Sequence, residues 1–176
     1  MCPKSEKKMT TLFLVRHGET PDNVRQVLQG QTQGELNAVG ISQAGLVRDR
    51  LAGEPLDAVV SSDLHRAIQT AEIIAAPHGL PVVTTPLLRE RDWGDFTGRY
   101  IPELKGATFP DNVESLPGLL ARAGRFLDYV RASYPGKRVL AVGHGIVNKA
   151  VQAVAWGKTM GEVQRMDNGE VRVLEV

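Results

Sequence analysis

The stretch TLFLVR, Thr11–Arg16, followed at once by His17-Gly18-Glu19-Thr20, decides how this chain is read. A short run so nearly continuous in apolar residues fits a strand buried on both faces of a parallel sheet, whereas a half-exposed strand would alternate. RVLAV at Arg138–Val142 repeats the pattern, and Asp57–Ser61 (DAVVS) and Val82–Thr84 read as two further strands. Helices are expected between these runs: Ile41–Leu51 with Gly53 as its C-cap, Leu64–Ala76 stopping before Pro77, Ser115–Tyr134 and Ile146–Ala155. Along the Ser115 segment, Leu116, Leu119, Leu120, Ala123, Phe126, Leu127 and Val130 fall on one stripe. Glu162–Val176 reads as two short strands around the turn Asp167-Asn168-Gly169. Strands alternating with helices give an α/β fold, a three-layer sandwich with a mostly parallel central sheet and helices on both faces.

The 176 residues suit a single domain, expected over 10–176, with residues 1–9 as a flexible solvated tail bearing Lys4, Lys7 and Lys8. A chain of this length buries about 70% of its unfolded surface and needs neither disulfide nor metal to hold a core. Its one cysteine, Cys2, excludes a disulfide framework and a thiolate zinc cluster. A net charge of +1 gives no bulk attraction to nucleic acid or anionic membrane. No apolar run reaches the roughly 18 residues of a membrane span. The start, MCPKSEKKMT, lacks the apolar stretch of a secretory signal. A soluble cytoplasmic protein with neither nucleic-acid nor membrane partner is the expectation. The two C-terminal strands would offer an edge for a homodimer.

In a sheet of this kind the ligand site lies beyond the carboxyl ends of the strands. Arg16 and His17 follow the first strand, Ser61-Ser62-Asp63 and then Arg66 the second, Glu90 the third strand region, and His144 the fourth. Guanidinium forks hold a multi-oxygen anion bidentately, so Arg16 and Arg66 suit a phosphoryl group. A neutral imidazole at His17 can attack phosphorus in line, and Gly18 beside it would admit the backbone close to the ligand. His144, set between Gly143 and Gly145, can stabilise charge on the equatorial oxygens, and Glu90 can shuttle the proton. With no HExxH, no His/Cys cluster at ligand spacing and no GxxxxGK[ST] or GxGxxG loop, neither a metal nor a nucleotide cofactor is expected.

These residues resemble the histidine phosphatase superfamily in its phosphoglycerate-mutase-like branch. Leu14–Thr20 (LVRHGET) matches its signature, with Asn23 at the branch's spacing. Gln29-Gly30, Ser61–Glu72 (SSDLHRAIQTAE), Leu88–Gly98 (LRERDWGDFTG) and Val142–Gly145 (VGHG) follow in the same order. The resemblance implies His17 as the phosphorylated histidine, Arg16, Arg66 and His144 as the phosphate pocket, and Glu90 as the proton donor. It further implies Asn23, Gln29 and Gly30 on a substrate-binding rim, metal-independent chemistry and a small phosphorylated substrate. One departure is Gly143, where the family often carries a hydroxyl residue; here one hydrogen bond would be missing.

The branch holds mutases and phosphatases. A mutase retains a doubly phosphorylated intermediate, which calls for a lid and further cations. Here Arg91-Asp92-Trp93-Gly94-Asp95 follows the acid, and only about a dozen residues join Tyr100 to the Ser115 helix, so a minimal lid and hydrolysis are expected. Mutase-type transfer and dephosphorylation of a phosphoprotein are the alternatives. Of the other polar or aromatic candidates, His65 is expected on the surface, His78 in a turn and Trp156 in the core, while Trp93 and Phe96 either wall the pocket or pack beneath the loop.

Overall fold

The computed structural model describes residues 8–176. The expected tail therefore lies, through residue 7, outside the described residues; Lys8 and Met9 are exposed and Thr10 is already buried. Five strands, β1 (Thr11–Arg16), β2 (Ala58–Ser62), β3 (Val82–Thr85), β4 (Arg138–Gly143) and β5 (Val171–Glu175), form one sheet. Their order is β3-β2-β4-β1-β5, parallel except for β5, which pairs antiparallel with β1.

Side chains alternate across a strand, and here both faces are apolar. Leu12, Leu14, Val139 and Ala141 pack into one core cluster, while Phe13, Val15, Leu140 and Val142 pack into the other. Helices α2 (Ala38–Leu51) and α3 (His65–Ala75) cover the second face through Val47, Leu51, Ala67, Ala71 and Ile74. Helices α4 (Leu116–Ser133) and α5 (Gly145–Trp156) cover the first through Leu119, Phe126, Leu127, Val147 and Val151. The three layers match the sequence reading. Ser115 begins α4 by accepting the Gly118 N–H at 3.1 Å.

Several details differ. Between His17 and α2, where the sequence offers no helical pattern, α1 (Pro21–Val24) forms one turn, closed by a capping box in which Thr20 and Asn23 exchange side-chain bonds at 3.1 and 3.2 Å. A four-residue turn is too short to carry periodicity. Helix α2 closes at Ala52 in right-handed conformation, and Gly53 is not among the positive-φ glycines, so it does not act as a left-handed cap. The carboxyl end holds one strand rather than two, because residues before the 167–169 turn run as irregular chain after a short 3-10 turn at Met160–Glu162. Leu116 and Trp156 are exposed, since each sits at a helix end beyond the covered stripe.

Candidate active site

Parallel pairing of β1 with β4 sets Arg16 opposite Gly143, and the His17 N–H continues the ladder by donating to the Gly143 carbonyl at 3.0 Å. The next residue of each strand is a histidine, so the rings of His17 and His144 meet edge to face with centroids 5.0 Å apart. Register alone brings these two side chains together.

His17 is buried, and its Nδ1 lies 2.7 Å from the Gly18 carbonyl. A carbonyl only accepts, so Nδ1 bears the proton and Nε2 keeps its lone pair. Burial, then the charges of Arg66 and Arg16, hold the His17 pKa well below 6.5, and the Gly18 bond does not reverse this. The ring is neutral at pH 7. On His144, Nε2 sits 2.9 Å from Ser62 Oγ, which already accepts the Leu64 N–H at 3.3 Å. The Ser62 hydroxyl keeps a second lone pair as well as its proton, so it can either accept from Nε2 or donate to it, and His144 Nδ1 is buried without a hydrogen-bond partner among the described residues. Burial and then Arg66 keep this ring neutral as well.

The guanidinium groups are braced by backbone carbonyls. Arg16 donates Nη1 to Met166 at 2.7 Å, and Arg66 donates to Thr32 at 2.7 Å and to Gly30 at 2.8 Å. Gly30 turns with φ +51°, a conformation costly for any residue with a Cβ. Burial brings both arginines down to about 10, Arg165 adding to the effect on Arg16, and both remain cationic at neutral pH. The Nε atoms of both are buried and unpaired within the protein.

Glu90 closes the cup from the α5 side. Its Oε1 accepts the N–H groups of Arg91, Ile146 and Val147 at 2.9, 3.2 and 3.0 Å. Oε2 takes only a bifurcated share of Ile146, at 3.1 Å. The carboxylate thus serves as the missing cap of α5, whose N-cap His144 makes no side-chain bond, and Oε2 is the freer oxygen. Behind it, Arg122 pairs with Glu114 at 2.8 Å and donates to the carbonyls of Leu87, Arg89 and Glu90.

Arg16, His17, Arg66 and Glu90 share a cavity of about 570 Å³ with Asn23, Gln29 and Gly30. Asn23 Oδ1 is tied to Asn168 Nδ2 at 3.2 Å, and Gln29 Oε1 accepts from Thr20 Oγ1 at 3.0 Å. The wall beyond them is apolar: Val27 and Leu28 on one side, and on the other Trp93, Phe96 and Phe109, stacked edge to face at 6.0 and 5.6 Å. Backbone bonds from Leu28 to Arg99, Gly98 to Leu28 and Ile101 to Gln26 fasten the two sides together. The connection after Glu90 is brief, as expected, yet it walls the pocket.

A neutral imidazole with a free lone pair, sharing a cavity with two guanidinium groups that each keep an unpaired Nε and touching a second imidazole, is the equipment of phosphoryl transfer. The profile of the histidine phosphatase superfamily (branch 1) matches residues 12–176. The chain belongs to the histidine phosphatase superfamily. It is 41% identical over 141 residues to the uncharacterized phosphatase PhoE of Bacillus subtilis (strain 168), covering 78% of this chain and 72% of that protein. It is 37% identical over 179 residues to the metal-independent phosphoserine phosphatase of Arabidopsis thaliana, covering 89% and 75%. Among solved structures, Bacillus stearothermophilus YhfR superposes with a TM-score of 0.87 at 29% identity, covering 95% of this chain and 91% of that one.

Within this histidine phosphatase all the residues expected at the site from the sequence lie at one sheet edge. Gly18 is the exception in role: a Cβ there would overlap the Gly40 carbonyl oxygen, so its size serves the packing of the His17 loop on α2, not approach to a ligand. Trp93 and Phe96 prove to be pocket wall, His65 is exposed, and His78 lies in a 3-10 turn. Two contributors lay outside the sequence reading: Arg122 and Arg165 approach from distant segments with no local signal. Ser62 and Asn168 entered it only as strand-end and turn residues, yet Ser62 Oγ contacts His144 and Asn168 holds the His17 carbonyl at 3.0 Å.

Proposed function

We propose that this histidine phosphatase hydrolyses phosphomonoesters of small metabolites through a phosphohistidine at His17, without metal or organic cofactor. The observation that carries this reading is the free Nε2 of His17 within a buried cup where Arg16 Nε, Arg66 Nε and His144 Nδ1 have no hydrogen-bond partner among the described residues. In the first step His17 Nε2 forms a bond to phosphorus as the ester P–O bond breaks. Glu90 gives its proton to the departing alkoxide, and Arg16, Arg66 and His144 Nδ1–H take up charge on the equatorial oxygens. In the second step Glu90 takes a proton from water, the water oxygen bonds to phosphorus, and the P–N bond to His17 breaks, releasing inorganic phosphate. Asn23, Gln29 and Gly30 bind substrate at the rim.

The apolar wall over residues 93–109 supports a small-molecule substrate over a phosphate carried on a protein surface. The test is rapid quench with 32P-labelled phenyl phosphate. The expected result is acid-labile, base-stable label on the wild-type chain, none on His17→Ala, and turnover unchanged by EDTA. A bisphosphoglycerate-primed assay should release phosphate with little isomerised product; dominant isomerisation would assign mutase chemistry instead.

A further inference from the structure

Besides the braced arginines, two further cations line the cavity, Lys105 and Arg165. Both are exposed, and neither forms an ion pair with a carboxylate among the described residues. Arg165 is nonetheless fitted into the site. A Cβ built on Gly145, next to His144, would lie 2.7 Å from Arg165 Nε and 2.9 Å from Nη2, so the absence of a side chain at 145 leaves the space that this guanidinium occupies. Its charge acts on Arg16 and, after those of Arg66 and Arg16 itself, on His17. Phosphoryl binding already has two braced guanidinium groups and an imidazole N–H, and most of the remaining wall is apolar, with Val27, Leu28, Trp93, Phe96, Ile101 and Phe109 prominent.

A cavity of about 570 Å³ falls within the roughly 300–1,000 Å³ typical of sites for drug-sized ligands. A phosphorylated three-carbon acid would leave most of this apolar wall uncovered. We infer that the substrate is a phosphomonoester with an apolar, ring-sized body and a second anionic group, which Arg165 and Lys105 bind at the pocket mouth. This rests on the hydrolase reading above and names its substrate class. The planar fork of Arg165 suits a carboxylate bidentately, and Lys105 adds a mobile point charge.

The experiment compares two isosteric esters, 4-carboxyphenyl phosphate and its neutral analogue 4-carbamoylphenyl phosphate, by kcat/KM on each protein. Because both esters are measured on one preparation, any inactive fraction cancels from their ratio. The wild-type chain should prefer the carboxylate by about tenfold or more, the size of one charge-assisted hydrogen bond, chiefly through KM. Arg165→Gln should bring the ratio close to unity, and Lys105→Gln should reduce it by a smaller factor. A wild-type ratio near unity, or a preference that survives Arg165→Gln, would overturn the inference. So would equal losses on both esters in Arg165→Gln, which would place the guanidinium on the phosphoryl group. In each of those cases a wild-type chain that releases phosphate leaves the hydrolase reading standing, whereas a wild-type chain inactive on both esters overturns both.

Discussion

The side chain of Asn148 occupies the space into which a side chain at Gly143 would grow: a Cβ on Gly143 would overlap Asn148 Oδ1. Asn148 is fully buried and anchored, its Nδ2 donating to the Val15 carbonyl at 3.0 Å and approaching Met166 Sδ at 3.7 Å. Asn148 Oδ1 reaches in from α5, one helical turn past His144, and has no hydrogen-bond partner among the described residues. Gly143→Ser should therefore destabilise the fold by about 1–3 kcal/mol, as overpacking does, and lower kcat by displacing His144. Adding Asn148→Ala should relieve the overlap, making the double variant more stable than the sum of the single losses implies. Urea unfolding of the four proteins measures this coupling, and additive losses would refute the steric account.

Both site histidines are held neutral, His17 and His144 each lying well below 6.5 through burial and then the charge of Arg66. The unfolded chain binds protons at these positions near pH 6.5 and the folded chain does not, so folding is fully favoured above that pH and weakened below it. Each histidine contributes a slope of up to about 1.4 kcal/mol per pH unit in that window. Stability measured by urea at pH 7.0 and 5.5 should fall by more than carboxylate titration alone gives, and His144→Asn should flatten the dependence. Catalysis should respond differently, because His17 stays unprotonated: kcat/KM should show no loss of activity centred at pH 6.5.

The main elements and the gathering of the candidate site residues were legible because both are written in short-range pattern. Three apolar runs mark the buried strands β1, β2 and β4, whereas Val82–Thr85 forms an edge strand with Val83 exposed. The polar residues at the strands' carboxyl ends are brought together by the sheet itself, as the step from Arg16–Gly143 pairing to His17–His144 contact illustrates. What escaped is long-range. Nothing near Arg165 in sequence announces that it packs against Gly145, and nothing near Arg122 announces three carbonyls on the 87–90 segment. Gly18 was assigned to ligand approach because its true neighbour, Gly40, lies across a loop whose path the sequence does not define.

Glu90→Gln separates proton transfer from binding. Glutamine keeps an oxygen able to accept the Ile146 and Val147 N–H groups that cap α5, so the fold should survive. It cannot protonate a leaving group. An alkyl phosphate needs that proton, whereas 4-nitrophenyl phosphate leaves readily as its anion. The loss in kcat/KM should be about 10²–10⁴-fold on the alkyl ester, the range of general acid catalysis, and much smaller on the nitrophenyl ester. Equal losses on both would remove Glu90 from the acid role.

Arg122 acts on the site through Glu90 without touching the cavity. Buried at the inner face of α4, it binds Glu114 through Nε and Nη2 and spends its remaining donors on the carbonyls of Leu87, Arg89 and Glu90. Burial pushes the Glu114 carboxyl up, but the bond and charge of Arg122 pull it further down, below its ordinary range. Arg122→Met leaves that carboxylate partly buried and unpaired and should cost about 3 kcal/mol in urea unfolding. Adding Glu114→Gln removes the stranded charge and should recover part of this stability. It should not recover kcat, because the three carbonyls that fix the approach of Glu90 stay unheld in both variants, while KM changes little. A double variant that regained kcat along with stability would reduce Arg122 to a structural ion pair; one that regained stability alone makes it a positioning residue for the proton shuttle.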